Sequence, residues 1–198
     1  MDLDGGIACL DFVNSGLGTL KADAVDRLHT YQDLLTLAGR LSLLDKKIIK
    51  GLTRQAAKHP TDARAVLERA LQARLSMQDI FGSIADGQLL KLNKKTLDQF
   101  NGFAARSVGK QVFTVYNGEL LLSVVQDEND LMLPLDSFIL SGRELLLNKD
   151  QRNIKRCGRC QWLFLDETKS HRRKWCSMKD CGSIIKSSRY YQRKKAEQ

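Results

Sequence analysis

Four cysteines crowd into 25 residues as Cys157-x2-Cys160-x15-Cys176-x4-Cys181, and this spacing constrains the fold more than any other feature of the chain. A Cys-x2-Cys pair in a tight turn aims two sulfurs at one point, and a second pair across a short excursion completes a tetrahedral set. Gly158, inside the first pair, is expected to relieve the backbone there. Four thiolates fill the shell of one Zn²⁺ and leave no place for a substrate, so the expected ion is structural. A redox dithiol fits less well. Such a pair normally follows a strand and opens a helix, whereas here the strand-like Trp162-Leu163-Phe164-Leu165 comes after it. Iron–sulfur ligation stays open on the residues alone. His171 reads as a solvated loop residue that would ligate only if a cysteine failed. The fifth cysteine, Cys9, stands apart and reads as a small buried apolar residue.

The stretch between the pairs predicts a ribbon. Trp162–Leu165 is one strand, residues 166–170 a turn, and Arg172–Trp175 the returning strand. A helix follows from Lys179 or Asp180 through Arg193, with Cys181 near its start. Trp162 and Trp175 are expected to cover the metal. A unit this small buries too little surface to fold unaided, so metal binding would supply much of its folding free energy.

Charge is distributed as unevenly as cysteine. Residues 151–198 hold 14 Lys+Arg against 4 Asp+Glu, a balance of +10, while residues 1–150 hold 18 against 19, a balance of −1. A neutral body with a basic end points to a polyanionic partner. The candidate contacts are Arg172, Arg173 and Lys174 before the third cysteine, then Lys179, Lys186, Arg189, Arg193 and Lys194 after it. On a helix Lys186, Arg189 and Arg193 share one face, which lets several cations neutralise neighbouring phosphates and release counterions. Tyr190 and Tyr191 either add a phosphate or stacking contact or pack on the ribbon.

The preceding 150 residues read as a mostly helical α+β domain. Apolar spacing predicts helices from about Asp23 to Gly39, from a Ser42–Asp45 capping box to before Pro60, from Thr61 to Asp86, and from Asn93 to Ala105. In the third, Val66, Leu67, Ala70, Leu71, Leu75, Ile80, Phe81 and Ile84 form the expected apolar face. The period then shortens. Gln111–Tyr116 and Glu119–Val125 flank Asn117-Gly118, a strong signal for a hairpin with a type I′ turn. Pro134 opens a last helix carrying Phe138, Ile139, Leu145 and Leu146, and residues 148–152 form the connector. The division falls at residues 1–150 and 151–198. The second part is read as a small treble-clef-like zinc-ribbon module ending in a basic helix.

Taken together, Cys157-x2-Cys160, Trp162-Leu163-Phe164-Leu165-Asp166, Arg172-Arg173-Lys174-Trp175-Cys176-Ser177-Met178 and Cys181-Gly182 resemble the CGNR-type zinc finger. Cys9-Leu10-Asp11-Phe12-Val13-Asn14 and the helices after it resemble the ABATE domain that precedes this finger. The resemblance implies a bacterial, stress-induced transcription regulator whose finger meets duplex DNA, and whose body senses a small-molecule effector or forms a homodimer. One departure stands out. Where the family has Cys-Gly-Asn-Arg, this chain has Cys181-Gly182-Ser183-Ile184. The ligand and the glycine remain, but a cation able to contact phosphate or base is gone. That departure favours the alternative, a zinc-stabilised module for RNA or protein.

Other functions find little support in the residues. His29, His59 and His171 are scattered, and neither a phosphate-binding glycine loop nor a dinucleotide fingerprint is present, so no enzyme is expected. Asp11 and Asn14 are candidates for lining a small-ligand pocket, although capping or backbone hydrogen bonding is the better reading of both. The acidic start, Met1-Asp2-Leu3-Asp4, lacks the basic and apolar regions of a signal peptide, and no apolar stretch suits a membrane. A cytoplasmic location is the expectation.

Overall fold

The computed structural model describes residues 2–16 and 26–196, without the side chains of Arg189, Tyr190, Tyr191, Arg193 and Ala196. Along the described residues, five α-helices precede a β-hairpin, and a sixth helix, a second hairpin and a seventh helix follow. Helix α1 (Ala8–Asn14) is almost wholly interior, with residues Cys9 to Asn14 all buried. Phe12 stacks on Phe138 of α6 (Leu133–Asn148) with ring centroids 4.4 Å apart. Around this pair lie α2 (Tyr31–Arg40), α3 (Lys46–Lys58), the long α4 (Pro60–Ala85) and α5 (Lys94–Val108). Proline opens α4 and sits in the first turn of α6, where its missing N–H has no helical partner to lose. No helix among the described residues is long and apolar enough to cross a membrane.

Three boundaries differ from the sequence reading. The part of the expected first helix over residues 23–25 lies outside the described residues. Within them α2 starts at Tyr31, because Thr30 and Asp33 close a reciprocal capping box. Gly39 lies inside that helix; the chain turns after it at Ser42, with φ of 56°. Ser42 is therefore no cap, and Asp45 precedes α3 without a side-chain capping bond. On α4, Leu75 faces solvent, while Val66, Leu67, Ala70, Ile80 and Phe81 face the core.

Strands β1 (Gln111–Tyr116) and β2 (Glu119–Val124) pair antiparallel from Gln111↔Val124 to Tyr116↔Glu119. Asn117 (φ 51°) and Gly118 (φ 82°) make the turn that Asn-Gly favours. A second hairpin joins β3 (Ile154–Arg156) to β4 (Leu163–Leu165), in the register Ile154↔Leu165 and Arg156↔Leu163. This pairing corrects the predicted ribbon. The partner of the Trp162–Leu165 segment lies before the first cysteine pair, and residues 172–175 form no strand. The main-chain N–H of Arg173 is instead taken by the Asp166 carboxylate at 2.9 Å.

Strand β4 sorts its side chains by period two. Leu163 and Leu165 join the main core together with Ile154, whereas Phe164 packs with Trp162 among the four clustered cysteines. One short strand thus belongs to two cores. Its outer edge is covered as well. The Asn14 side chain accepts from Leu163 N–H and donates to Leu163 C=O, both at 2.9 Å, and Leu165 N–H donates to Gly5 C=O at 2.9 Å. An exposed strand edge invites foreign pairing; here Asn14 and Gly5 occupy it.

Candidate metal centre

Cys157 and Cys160 lie in the turn between β3 and β4. Cys157 N–H donates to Trp162 C=O at 2.8 Å, and Gln161 N–H returns to Cys157 C=O at 3.1 Å. The left-handed residue in this turn is Gln161, with φ of 65°, not Gly158. Gly158 is required by packing: a Cβ there would sit 2.9 Å from the Trp175 ring. Cys176 follows an extended loop. Cys181 sits in a π-helical turn, Met178–Gly182, that leads into α7 (Ser183–Ala196). Ser177 caps this turn by accepting from Asp180 N–H at 3.3 Å, and its carbonyl accepts from Gly182 N–H at 2.9 Å.

The four sulfurs lie within 4.8 Å of one another, and all four residues are buried. Cys160 and Cys176 Sγ are 3.5 Å apart, and Cys176 and Cys181 Sγ 3.7 Å. Disulfide sulfurs would be about 2 Å apart. A tetrahedron with metal–sulfur bonds of about 2.3 Å has edges of about 3.8 Å, so the separations suit four ligands around one Zn²⁺. The donor set is also right, four soft thiolates with no open position. Hydrogen bonds from the Cys160 and Cys176 thiols hold the Cys157 thiol far below its ordinary range, and donating them raises Cys160 and Cys176. Several buried thiolates need a cation between them to ionise together. The four cysteines fit one structural zinc ion.

Asp166 organises the loop that returns to the site. Its carboxylate accepts from Lys155 Nζ at 2.7 Å, Thr168 Oγ1 at 2.6 Å and Arg173 N–H at 2.9 Å. Burial opposes charge on this carboxyl, but these donors outweigh it and hold the group well below the usual carboxylate range. Arg173 turns inward: Nε donates to Trp175 C=O at 2.8 Å, the guanidinium also bonds Cys176 C=O, and it lies 4.7 Å from the Phe164 ring centroid. His171 is no member of the cysteine cluster; its Nδ1 lies 2.9 Å from Asp166 C=O.

The sequence profile of the CGNR zinc finger matches residues 153–194. That of ABATE, described as "Putative stress-induced transcription regulator", matches residues 6–114, more than half of the chain. The chain belongs to the ABATE family. No curated protein matches it significantly.

The remaining candidate residues of this ABATE protein fall into distinct settings. Arg172, Lys174, Lys179 and Lys186 are exposed, and Lys194 projects from α7. The side chains of Arg189 and Arg193, like those of Tyr190 and Tyr191, lie outside the described residues. Asp11 and Asn14 are both buried and turned to the protein's own backbone: Asp11 Oδ1 accepts from Gly5 N–H at 2.9 Å, and Asn14 binds Leu163. Trp162 is buried against the cysteines, with Arg27 5.5 Å from its ring centroid, and Trp175 packs on the same cluster. Asn14 bonds to backbone as one of its two readings expects, but its partner in β4 and the organising role of Asp166 are not marked in the sequence. Nothing local marks a contact spanning 149 residues.

Proposed function

We propose that this ABATE protein is a transcription regulator whose metal-braced C-terminal module docks on duplex DNA, with no catalytic step of its own. The observation that carries the reading is the charge asymmetry, +10 in residues 151–198 against −1 in the remainder. The cations sit on a unit fixed to the body. Arg156 joins Asp86 at the end of α4 through two hydrogen bonds of 2.8 and 3.0 Å, and β4 is shared between the two cores. A fixed cationic surface presents several phosphate contacts at one entropic cost, which a loose tail does not. The body supplies the regulatory input. A polar cleft of about 360 Å³ between α4, α5 and Arg156 flanks the joint, and a small polar effector seated there would bear on the Arg156–Asp86 pair.

The test is fluorescence anisotropy of a labelled duplex with zinc-loaded protein across a series of salt concentrations, repeated after chelation. Affinity is expected to fall linearly in log–log form with salt. Lys174→Ala and Lys186→Ala should each reduce the slope by roughly 0.9, one phosphate contact apiece, and chelation should abolish binding. Absence of binding even at low salt would sink the duplex reading. A second reading then takes over, a module for RNA or a protein partner. It is favoured by Ile184, an exposed apolar side chain at the place where the family signature carries arginine.

A further inference from the structure

The β1–β2 hairpin shows two different faces. Directly opposed residues point the same way, so Phe113/Leu122 and Val115/Leu120 form one face, and Val112/Ser123, Thr114/Leu121 and Tyr116/Glu119 the other. The second face is mixed, with Thr114 Oγ1 and Ser123 Oγ 3.2 Å apart. The first has Gln111 opposite Val124 at its base and is wholly apolar in its two outer rows, yet Phe113 and Val115 are 73% exposed, Leu120 71% and Leu122 51%. Its base is tied to the body where Val125 N–H donates to Lys110 C=O at 3.0 Å and Val124 packs against the core, and the rows beyond project into solvent.

A lone two-stranded hairpin is marginal in water, and four large apolar side chains in two adjacent rows are costly to leave wet. We propose that this face is a homodimer interface, covered by the same face of a second copy of the chain. Three observations select a second copy. The face carries no charge, since Glu119, the single charged residue in 111–125, points to the other side; two copies therefore meet without like-charge repulsion. The two rows are alike in size and chemistry, so a two-fold axis between them sets Phe113 and Leu122 of one copy against Val115 and Leu120 of its partner. The four side chains expose on the order of 500 Å² per copy, and face-to-face pairing buries on the order of 1,000 Å² in total, about the least that a specific interface requires. The inference does not rest on nucleic-acid binding. A dimer formed this way would carry two metal modules in two-fold relation.

Sedimentation equilibrium of the zinc-loaded full chain from about 1 to 100 μM decides it, a range that brackets the affinity expected of so small an interface. The expected result is a reversible dimer. Val115→Lys and Leu120→Lys should each weaken it tenfold or more, and Tyr116→Lys, on the opposite face, should not. Val115→Thr keeps strand propensity and should weaken the dimer by a smaller factor, which separates loss of the apolar contact from loss of the hairpin. A wild-type chain that stays monomeric throughout, or a dimer indifferent to both lysine substitutions, overturns the proposal.

Discussion

Asp11 and Asn14 sit one helical turn apart, are both buried, and make opposite contributions. Burial pushes the Asp11 carboxyl up to about 6, although the Gly5 N–H it accepts works the other way. In an unfolded chain the group ionises near 3.9. As pH rises from 4 to 6 the unfolded state therefore loses its proton first. Whatever stability the neutral carboxyl lends is complete below about pH 4 and is lost as pH climbs through 6, amounting to about 2–3 kcal/mol by pH 7.5. Asp11→Asn keeps an oxygen acceptor and cannot ionise. It is expected to melt above wild type at pH 7.5, with the advantage shrinking towards zero near pH 4.5; a constant offset across that range would contradict the assignment. Asn14 acts on the fold through its amide. Its amide satisfies both the N–H and the C=O of Leu163, and Asn14→Ala leaves two buried polar groups without partners, at a cost of about 2–4 kcal/mol in urea unfolding. Leu163 amide exchange should rise with it. Asn14→Asp keeps the acceptor but sets a carboxylate against a carbonyl, and should cost as much.

At the scale of elements, what could be read in advance was what local chemistry decides. Helix α4 announces itself through Pro60 and a long 3.6-residue period, and β1–β2 through Asn117-Gly118 between alternating strands. The errors arose where a local pattern had two readings. Thr30-x-x-Asp33 and Ser42-x-x-Asp45 look alike in sequence, yet only the first closes a capping box, because Ser42 is spent on the left-handed turn that ends α2. Strand β3 has three residues, too few to show a period, and its pairing with β4 follows from the Cys157–Cys160 turn between them. The expected return strand over 172–175 carried a plausible Arg-Arg-Lys-Trp pattern. Its main chain is claimed by Asp166, and the Arg173 side chain by the carbonyls of Trp175 and Cys176. The metal ligands were legible because ligand chemistry depends on spacing more than on secondary structure. The inward turn of Arg173 was not, since a cation in a basic run looks the same whether it faces solvent or a carbonyl.

Over the whole molecule, the metal and the helical body are coupled through β4. Phe164 belongs to the cysteine cluster, while Leu163 and Leu165, its neighbours on either side, belong to the main core. Structural zinc contributes about 10–16 kcal/mol to isolated fingers, and most of that is lost when the ion is removed. Residues 157–182 then have no means of holding Phe164, and the hairpin that presents Leu163 and Leu165 loosens. The groups they cover are deep in the body: the Asn14 amide, the Gly5 carbonyl and the buried face of α1. Chelation is therefore expected to lower the melting temperature of the entire protein by about 2–4 °C for each kcal/mol lost, roughly 10 °C or more when several kcal/mol go. Amides of α1 should lose exchange protection together with those of the metal module. Added Zn²⁺ should restore both, and Cys176→Ala should reproduce the chelated state without a chelator. Were the module an independent bead on a tether, calorimetry after chelation would instead show the body melting at its original temperature. The buried position of Leu163 and its pairing with Asn14 argue for the coupled outcome, in which the ion that shapes the cationic surface also holds the body against it.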